Sequence, residues 1–139
     1  MKLSTKGRYG LRAIADLAIN SDGKPVSILS IAGRQSISAN YLENMFSTLK
    51  KAGIIKSIKG GGGGYVLVKE AQDIYVGEIL RALEGDLAII DSDLTEEDKQ
   101  AQNLKFIIET DVWNVVTQKI NEVIDSMTLQ DLIDKKDEN

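Results

Sequence analysis

The chain has 139 residues, a length that fits one compact domain with a modest extension and argues against two full-sized domains. Hydrophobic residues make up 42% and charged residues 27% of the chain, proportions that disfavour a disordered chain, a collagen-like repeat or a membrane span. The net charge of −4, taken alone, argues against a nucleic-acid partner.

Three helices are predicted in the first half of the chain. Apolar residues recur at helical spacing over residues 4–20. Ser27 can cap a short second helix that ends around Gln35, and Ser38 can cap a third helix that Gly53 ends. Because a short turn joins the second and third helices, they form a helix-turn-helix candidate.

A β-hairpin is predicted to follow. Residues 54–59 and 65–69 have the composition of β-strands, and the glycines at 60–64 between them fit a hairpin tip. Beside a helix-turn-helix, such a hairpin is the wing of a winged helix. Residues 76–84 then predict a fourth, short helix with Gly85 beyond its end.

The C-terminal part predicts a linker and one long helix. Residues 86–94 have no periodic pattern, and Thr95 begins a capping-box sequence. Apolar residues then follow helical spacing from Ala101 to Met127 without proline or glycine, which predicts a helix of roughly 30 residues, about 45 Å long. Thr128 can cap a last short helix.

The apolar stripe of this long helix exceeds what so small a domain can cover. We therefore expect it to pair with a second copy of the chain by two-fold symmetry. The alternative is a helix that folds back onto the first half as core. The predicted dimerisation residues are Leu104, Ile108, Val112, Val115, Val116, Ile120, Val123 and Ile124.

Two missing residue types narrow the chemistry. The chain has no Cys and no His, so it cannot build thiolate nucleophiles, imidazole bases or the usual zinc and iron–sulfur sites. A Lys- or carboxylate-dependent enzyme stays open, but no cluster of titratable residues indicates one, and we predict no catalysis, cofactor or metal site. Because Arg8, Arg12 and Asp16 interrupt any signal-peptide pattern, we expect a cytoplasmic protein.

The net charge conceals two opposed halves. Residues 1–69 carry 11 Lys and Arg against 3 Asp and Glu, a net of +8, whereas residues 70–139 carry 6 against 18, a net of −12. A basic half of this kind is typical of a surface that meets a polyanion. The alternative is that both halves are ordinary solvated surfaces.

Hydrogen-bonding side chains follow one face of the third helix. Asn40, Asn44, Ser47 and Lys51 lie at spacings of four, three and four, with Glu43 beside them. In a major groove, Asn can bond adenine and Glu can accept from cytosine. An ordinary solvated face, or a capping role for Asn40, is the alternative.

The five glycines of the hairpin do not form a nucleotide-binding loop, because Tyr65 stands where a P-loop needs Lys and where a dinucleotide motif needs Gly. As a wing tip they accept positive φ and let the backbone approach a phosphate closely. Lys59, at the base of the tip, is placed to reach a minor groove. A flexible loop without a ligand is the alternative.

Several short segments resemble, in order and spacing, the Rrf2 family of bacterial transcriptional regulators. They are Lys-Leu-Ser-Thr-Lys-Gly-Arg-Tyr at 2–9, Ser-Ala-Asn-Tyr-Leu-Glu at 38–43, Ala-Gly at 52–53, Ser-Ile-Lys-Gly at 57–60, Gly-Gly-Tyr at 63–65 and Ala-Leu-Glu-Gly at 82–85. The resemblance implies a dimeric winged-helix protein on pseudo-palindromic promoter DNA, with its third helix in the major groove and its wing in the minor groove. By position, Ser38, Asn40, Tyr41 and Glu43 would read DNA, and Lys59 stands where the family usually has Arg.

The chain departs from family members that sense iron–sulfur clusters or nitric oxide. Those members carry three cysteines between the fourth helix and the long helix, where this chain has residues 86–103 and no cysteine. Cluster sensing in its usual form is therefore excluded. Residues 124–132 resemble a cysteine-free branch that includes a repressor of cysteine metabolism, in which the enzyme cysteine synthase carries the signal.

These observations give one leading interpretation. The chain is predicted to be mainly α with a small β-hairpin, with a winged helix-turn-helix domain at 1–85 and a linker, long dimerisation helix and terminal helix at 86–139. The predicted function is a homodimeric repressor of cysteine or sulfur metabolism genes, and the alternative is a protein-interaction module or a regulator that senses another signal through a partner. The predicted DNA-binding residues are Lys2, Lys6, Arg8, Ser38, Asn40, Tyr41, Glu43, Asn44, Ser47, Lys51, Lys59, Gly60, Gly63, Gly64 and Tyr65.

Overall fold

The computed structural model describes residues 2–139 as a mainly helical chain with one antiparallel hairpin, which confirms the predicted fold class. A 3₁₀ turn at Ala71–Asp73 precedes α4, and a π-helical segment at Glu109–Trp113 joins α6 to α7. Among these residues, none of the helices combines the length and apolar content needed to cross a bilayer. The elements in chain order are α1 (Thr5–Asn20), α2 (Ile28–Gln35), α3 (Ala39–Lys51), β1 (Ile55–Ile58), β2 (Gly64–Leu67), α4 (Val76–Glu84), α5 (Glu96–Ala101), α6 (Leu104–Ile108), α7 (Asn114–Ile124) and α8 (Leu129–Asp137).

Helices α1 to α4 and the hairpin enclose one core. The apolar side of α3 is completely buried, and the ring of Phe46 meets the ring of Tyr65 from β2 edge to face at 5.1 Å. The two strands pair in the register Ile55 to Leu67. The predicted reading helix and the predicted wing are therefore held by the same packed interior.

Four predicted caps form as the sequence indicates. The side-chain oxygen of each capping residue accepts a hydrogen bond from the backbone N–H three residues later, which begins α2, α3, α5 and α8. These caps are Ser27, Ser38, Thr95 and Thr128. In α1, by contrast, the Ser4 side chain caps no N–H group, and the acceptor comes from Glu84 in α4.

The prediction of one unbroken helix from Ala101 onward is wrong. Gln102 adopts the left-handed conformation (φ 46°) and ends α5. Asn103 then begins α6, since its side-chain oxygen accepts from the N–H of Phe106 at 3.1 Å. From there α6, the π-helical segment and α7 continue as one rod over residues 104–124, about 31 Å long at 1.5 Å per residue. The helical spacing of apolar residues continues across Gln102 and Asn103, so the spacing alone did not reveal that Asn103 begins a new helix.

The last helix returns to the winged helix. Leu129 is completely buried in the core that α1 and α3 share. The backbone N–H of Val76 donates to the carbonyl of Met127 at 2.8 Å, and that of Leu129 donates to the carbonyl of Ile74 at 2.9 Å. The sequence left open whether the long helix folds back onto the first half of the chain. In the structure it is α8 that does so.

Candidate nucleic-acid interface

The solvent-facing side of α3 carries the predicted reading residues. Asn40, Glu43, Asn44, Ser47 and Lys51 are all exposed, whereas the opposite side of the helix is buried. None of these five side chains has a side-chain hydrogen bond or ion pair to another part of residues 2–139. Their donors and acceptors are therefore free to meet a ligand.

The N-terminal end of α3 is fixed by structural contacts. The Ser38 hydroxyl accepts from the N–H of Tyr41 at 3.1 Å, so its first role is to cap the helix. The half-buried ring of Tyr41 lies 6.0 Å from the ring of Tyr9 in α1. The guanidinium of Arg12 lies 4.9 Å from the centre of the Tyr9 ring and donates to the carbonyl of Gln35 at 3.1 Å. These contacts fix α3 against α1 and α2.

An ion pair that we did not predict, between a buried carboxylate and a more exposed guanidinium, also ties α1 to α2. Asp16 is only 3% exposed, and Arg34 donates to its carboxylate through Nε and Nη2 at 2.7–3.2 Å. The Gln35 amide donates to the same carboxylate at 2.8 Å. The hydrogen bond to Asp16 raises the pKa of Arg34. The position of Asp16 on an apolar face of α1 could have indicated that its carboxylate is buried. Nothing in the sequence indicated that Arg34 and Gln35 are its hydrogen-bond partners.

Cations surround the first turns of α1. Lys2 and Arg8 are exposed and Lys6 is half-buried. The guanidinium of Arg8 donates to the hydroxyl of Thr5 at 3.5 Å and lies 5.9 Å from the centre of the Tyr9 ring. Among residues 2–139 these three cations form no ion pair with Asp or Glu. No carboxylate of the described residues neutralises their charge, and the contact of these cations with phosphates stays a prediction.

The wing glycines divide into two groups. A side chain at Gly63 would place its Cβ 2.3 Å from the carbonyl oxygen of Ile58, and one at Gly64 would lie 2.6 Å from the carbonyl oxygen of Val26. Gly60 has a φ of 110°. These positions need glycine for the turn itself. At Gly61 and Gly62, which are exposed, an added Cβ would meet nothing within 4 Å.

The remaining predicted wing residues differ in exposure. Lys59 is exposed, whereas Tyr65 is half-buried and packs on Phe46. The backbones of Tyr65 and Val26 exchange two hydrogen bonds of 2.8 and 2.9 Å, which tie β2 to the chain just before α2. Tyr65 therefore positions the wing, and Lys59 is the side chain free to extend from it.

The predicted dimerisation residues lie on more than one face of the rod. Ile124 packs against Val76, Leu80 and Leu87 of its own chain. Ile108 and Ile120 are half-buried. The others are between 37% and 69% exposed, and we call this set the outer stripe: Leu104, Val112, Val115, Val116 and Val123.

The segment before the rod is held by polar contacts. The ammonium of Lys105 lies 3.4 Å from a carboxylate oxygen of Asp93 and 3.5 Å from one of Asp98. Desolvation lowers the pKa of Lys105, but these carboxylates outweigh it and the pKa is raised. The buried carboxylate of Glu109 accepts from the hydroxyl of Ser92 at 2.8 Å. Residues 86–94, predicted as a linker, are thus anchored to the rod.

Comparison with known proteins shows extended similarity. Residues 3–135 match the family model described as "Rrf2: Iron-dependent Transcriptional regulator". The HTH-type transcriptional regulator CymR of Bacillus subtilis is 40% identical over 132 residues, which cover 95% of this chain and 89% of CymR.

Two solved structures support the same relationship. The structure of B. subtilis CymR, described as the global cysteine regulator, matches with a TM-score of 0.79 and 38% identity, covering 97% of this chain and 98% of CymR. The structure of T. potens IscR matches with a TM-score of 0.77 and 41% identity, covering 98% of this chain and 88% of IscR.

Proposed function

Because the chain belongs to the Rrf2 family of transcriptional regulators, we propose that it is a homodimeric repressor that reads a pseudo-palindromic operator. The observation that carries the proposal is the exposed polar face of α3, with Asn40, Glu43 and Asn44 unpaired on a helix whose other face is buried. A regulator of chromosomal genes works in the cytoplasm, and we propose that it has no catalytic role.

The outer stripe supports a homodimer. Five apolar side chains on one rod are exposed to water, which is unfavourable for apolar surface. A two-fold axis lets the same stripe cover itself, which is the commonest way for soluble proteins to pair. Two winged helices on one dimer would then match the two halves of a pseudo-palindrome.

The residues present do not fit an iron–sulfur cluster, although the family description is iron-dependent. The sequence contains no Cys and no His. Iron–sulfur clusters are held by Cys thiolates, with His in some types, and in the segment before the rod the carboxylates of Asp93 and Asp98 pair with the ammonium of Lys105. We propose that this regulator works without a cluster.

The target genes are proposed from similarity. CymR of B. subtilis, described as a global cysteine regulator, supports genes of cysteine or sulfur metabolism as targets. Cysteine synthase is the proposed partner that carries the signal, as the cysteine-free branch of the family suggests. The alternative is a protein-interaction module whose acidic half is the working surface and whose winged helix does not read DNA.

Selection of bound genomic fragments, followed by titration of the enriched duplex, tests the proposal. We expect a recurring inverted repeat, a complex of two chains, and an affinity that falls with salt by a log–log slope of about −0.9 for each phosphate contact. Failure to enrich any motif, or binding that ignores salt, would overturn the DNA-binding proposal. Recovery of a protein partner without any selected motif would favour the interaction module.

A parallel selection addresses the signal. Purified cysteine synthase is added to one arm and a matched amount of serum albumin to the other. We expect only cysteine synthase to change occupancy of the enriched fragments. Equal occupancy in both arms would contradict the proposed partner while leaving the DNA-binding proposal intact.

A further inference from the structure

A small polar cluster joins the winged helix to the rod. The Nη1 atom of Arg81, in α4, donates to the side-chain oxygen of Asn121, in α7, at 2.9 Å. Its Nη2 atom forms an ion pair with the carboxylate of Asp125, the residue after α7. A rigid planar guanidinium thus holds two acceptors of the other element at once.

Gly77 lets the two elements come this close. A Cβ at Gly77 would lie 1.9 Å from an oxygen of Asp125 and 2.9 Å from Nη2 of Arg81. Gly77 is buried in the first turn of α4. The Arg81–Asp125 contact accounts for its presence, because a Cβ at this position would force the Asp125 carboxylate and the Arg81 guanidinium to shift.

Other contacts fix the same region on both sides. The side-chain amide of Asn121 donates to the carbonyl of Leu87 at 2.9 Å and to that of Thr117 at 2.8 Å. Past the end of α7, the N–H of Val76 bonds the carbonyl of Met127. We call Gly77, Arg81, Asn121 and Asp125 the joint. The rod meets α4 at the joint through a fixed set of directional contacts.

We propose that Arg81 is a positioning residue that fixes the angle between the winged helix and the rod, and so selects the spacing between operator half-sites. The proposal rests on the proposed function, a DNA-binding dimer. Half-sites of such dimers lie one helical turn of DNA or a multiple of it apart, so both reading helices engage only when their separation is fixed. If the angle at the joint varies, the separation of the two α3 helices varies with it.

The test measures affinity as a function of half-site spacing. The full chain is titrated by fluorescence anisotropy with duplexes that carry two copies of the selected half-site, moved apart in steps of one base pair over one helical turn. The variants are Arg81→Met, which removes both contacts, and Gly77→Ala, which pushes Asp125 away. The matched control is Lys135→Met, which breaks the exposed ion pair between Lys135 in α8 and Glu138, the residue after α8.

The wild-type chain and Lys135→Met are expected to prefer one spacing by about tenfold or more over the spacing five base pairs away, since avidity is lost when geometry prevents double engagement. In Arg81→Met and Gly77→Ala this preference falls to about threefold or less, while dimer mass and single half-site affinity stay unchanged. Thermal melting curves show whether each variant is folded. If Arg81→Met or Gly77→Ala does not fold, Asp125→Asn, which keeps the shape of the side chain, is used in its place.

An unchanged spacing preference in the folded joint variants would overturn the proposal, and so would an equal loss of affinity at every spacing. A wild-type chain that binds no duplex, or that stays monomeric, would overturn the proposed function and this inference with it. A wild-type chain that pairs and binds but shows no spacing preference would overturn the inference alone.

Discussion

The carboxylate of Glu84, in the last turn of α4, accepts a hydrogen bond from the backbone N–H of Gly7, in the first turn of α1, at 2.8 Å. The same oxygen accepts from the N–H of Ser4 at 3.1 Å and from the Ser4 hydroxyl. A Cβ at Gly7 would lie 2.4 Å from it. A charged acceptor from a distant helix therefore caps α1, where the helix dipole favours negative charge.

Replacing this cap should weaken the whole winged helix. We expect Glu84→Ala to lower the free energy of unfolding by about 1–2 kcal/mol, because two N–H groups lose a charged acceptor. Urea unfolding followed by circular dichroism measures the change. Glu70→Ala, which removes an exposed carboxylate that precedes a 3₁₀ turn, is the control and should stay within about 0.5 kcal/mol. Equal midpoints for the two variants would contradict the capping role.

Glycine substitutions in the wing should separate folding from DNA binding. We expect Gly61→Ala and Gly62→Ala to change stability by less than about 0.5 kcal/mol, since an added Cβ meets nothing within 4 Å. Gly63→Ala should cost more than about 1 kcal/mol, because its Cβ would overlap the carbonyl of Ile58. If the tip approaches phosphates, the first two variants also bind duplex more weakly in anisotropy titrations. Wild-type affinity in both would show that the tip does not touch DNA.

Structural features that depend on residues close together in the sequence were predictable. The caps at Ser38 and Thr128 depend on an N–H group three residues later, and Gly53 and Gly85 follow the ends of α3 and α4 at positive φ. The exposed face of α3 was predictable for the same reason, since helical spacing alone separates it from the buried face.

Long-range partners were not predictable. The bond between Glu84 and Gly7 joins residues 77 positions apart, and neither residue carries a local sign of the other. The same holds for Arg34, which pairs with Asp16. At Asn103 a local signal existed, but the apolar period on both sides predicted a continuous helix, and a left-handed Gln102 has no reliable sequence signature.

The cap of α5 should resist acid. The pKa of Asp98 is lowered to about 2, chiefly because the backbone N–H of Thr95 donates to its carboxylate, and further because the Asn103 side chain does. Since the folded pKa lies below the ordinary Asp value of 3.8, this contribution to stability is present above pH 3.8 and is lost as the pH falls through about 2.

Carboxyl NMR measures this titration directly. The Asp98 carbon should titrate with a midpoint near pH 2 in the wild-type chain, and Asn103→Ala should move the midpoint upward because one donor is removed. Lys99→Met, which breaks an exposed pair with Glu96 in the same helix, serves as the control. A wild-type midpoint at 3.8 would contradict the cap geometry.

The face of α3 should divide into specificity and affinity residues. Asn40→Ala and Glu43→Ala are expected to cost about 1–3 kcal/mol on the selected operator and little on random DNA, because base-edge bonds are sequence-specific. Lys51→Ala should weaken both alike and reduce the magnitude of the salt slope by about 0.9. Parallel titrations at two salt concentrations measure both effects. Identical losses for all three variants on both duplexes would contradict the division.

A charge in the outer stripe should separate the proposed dimer. Val116 is 37% exposed on the rod, and in a two-fold interface its apolar side chain would be buried against the partner. We expect Val116→Arg to run at the mass of one chain, 15.2 kDa, in light scattering, because an unpaired guanidinium is costly in an apolar contact. Gln118→Arg adds the same charge at an exposed position of the same helix and should stay dimeric. A dimeric Val116→Arg would place the interface elsewhere, since the outer stripe could not tolerate that charge at its centre.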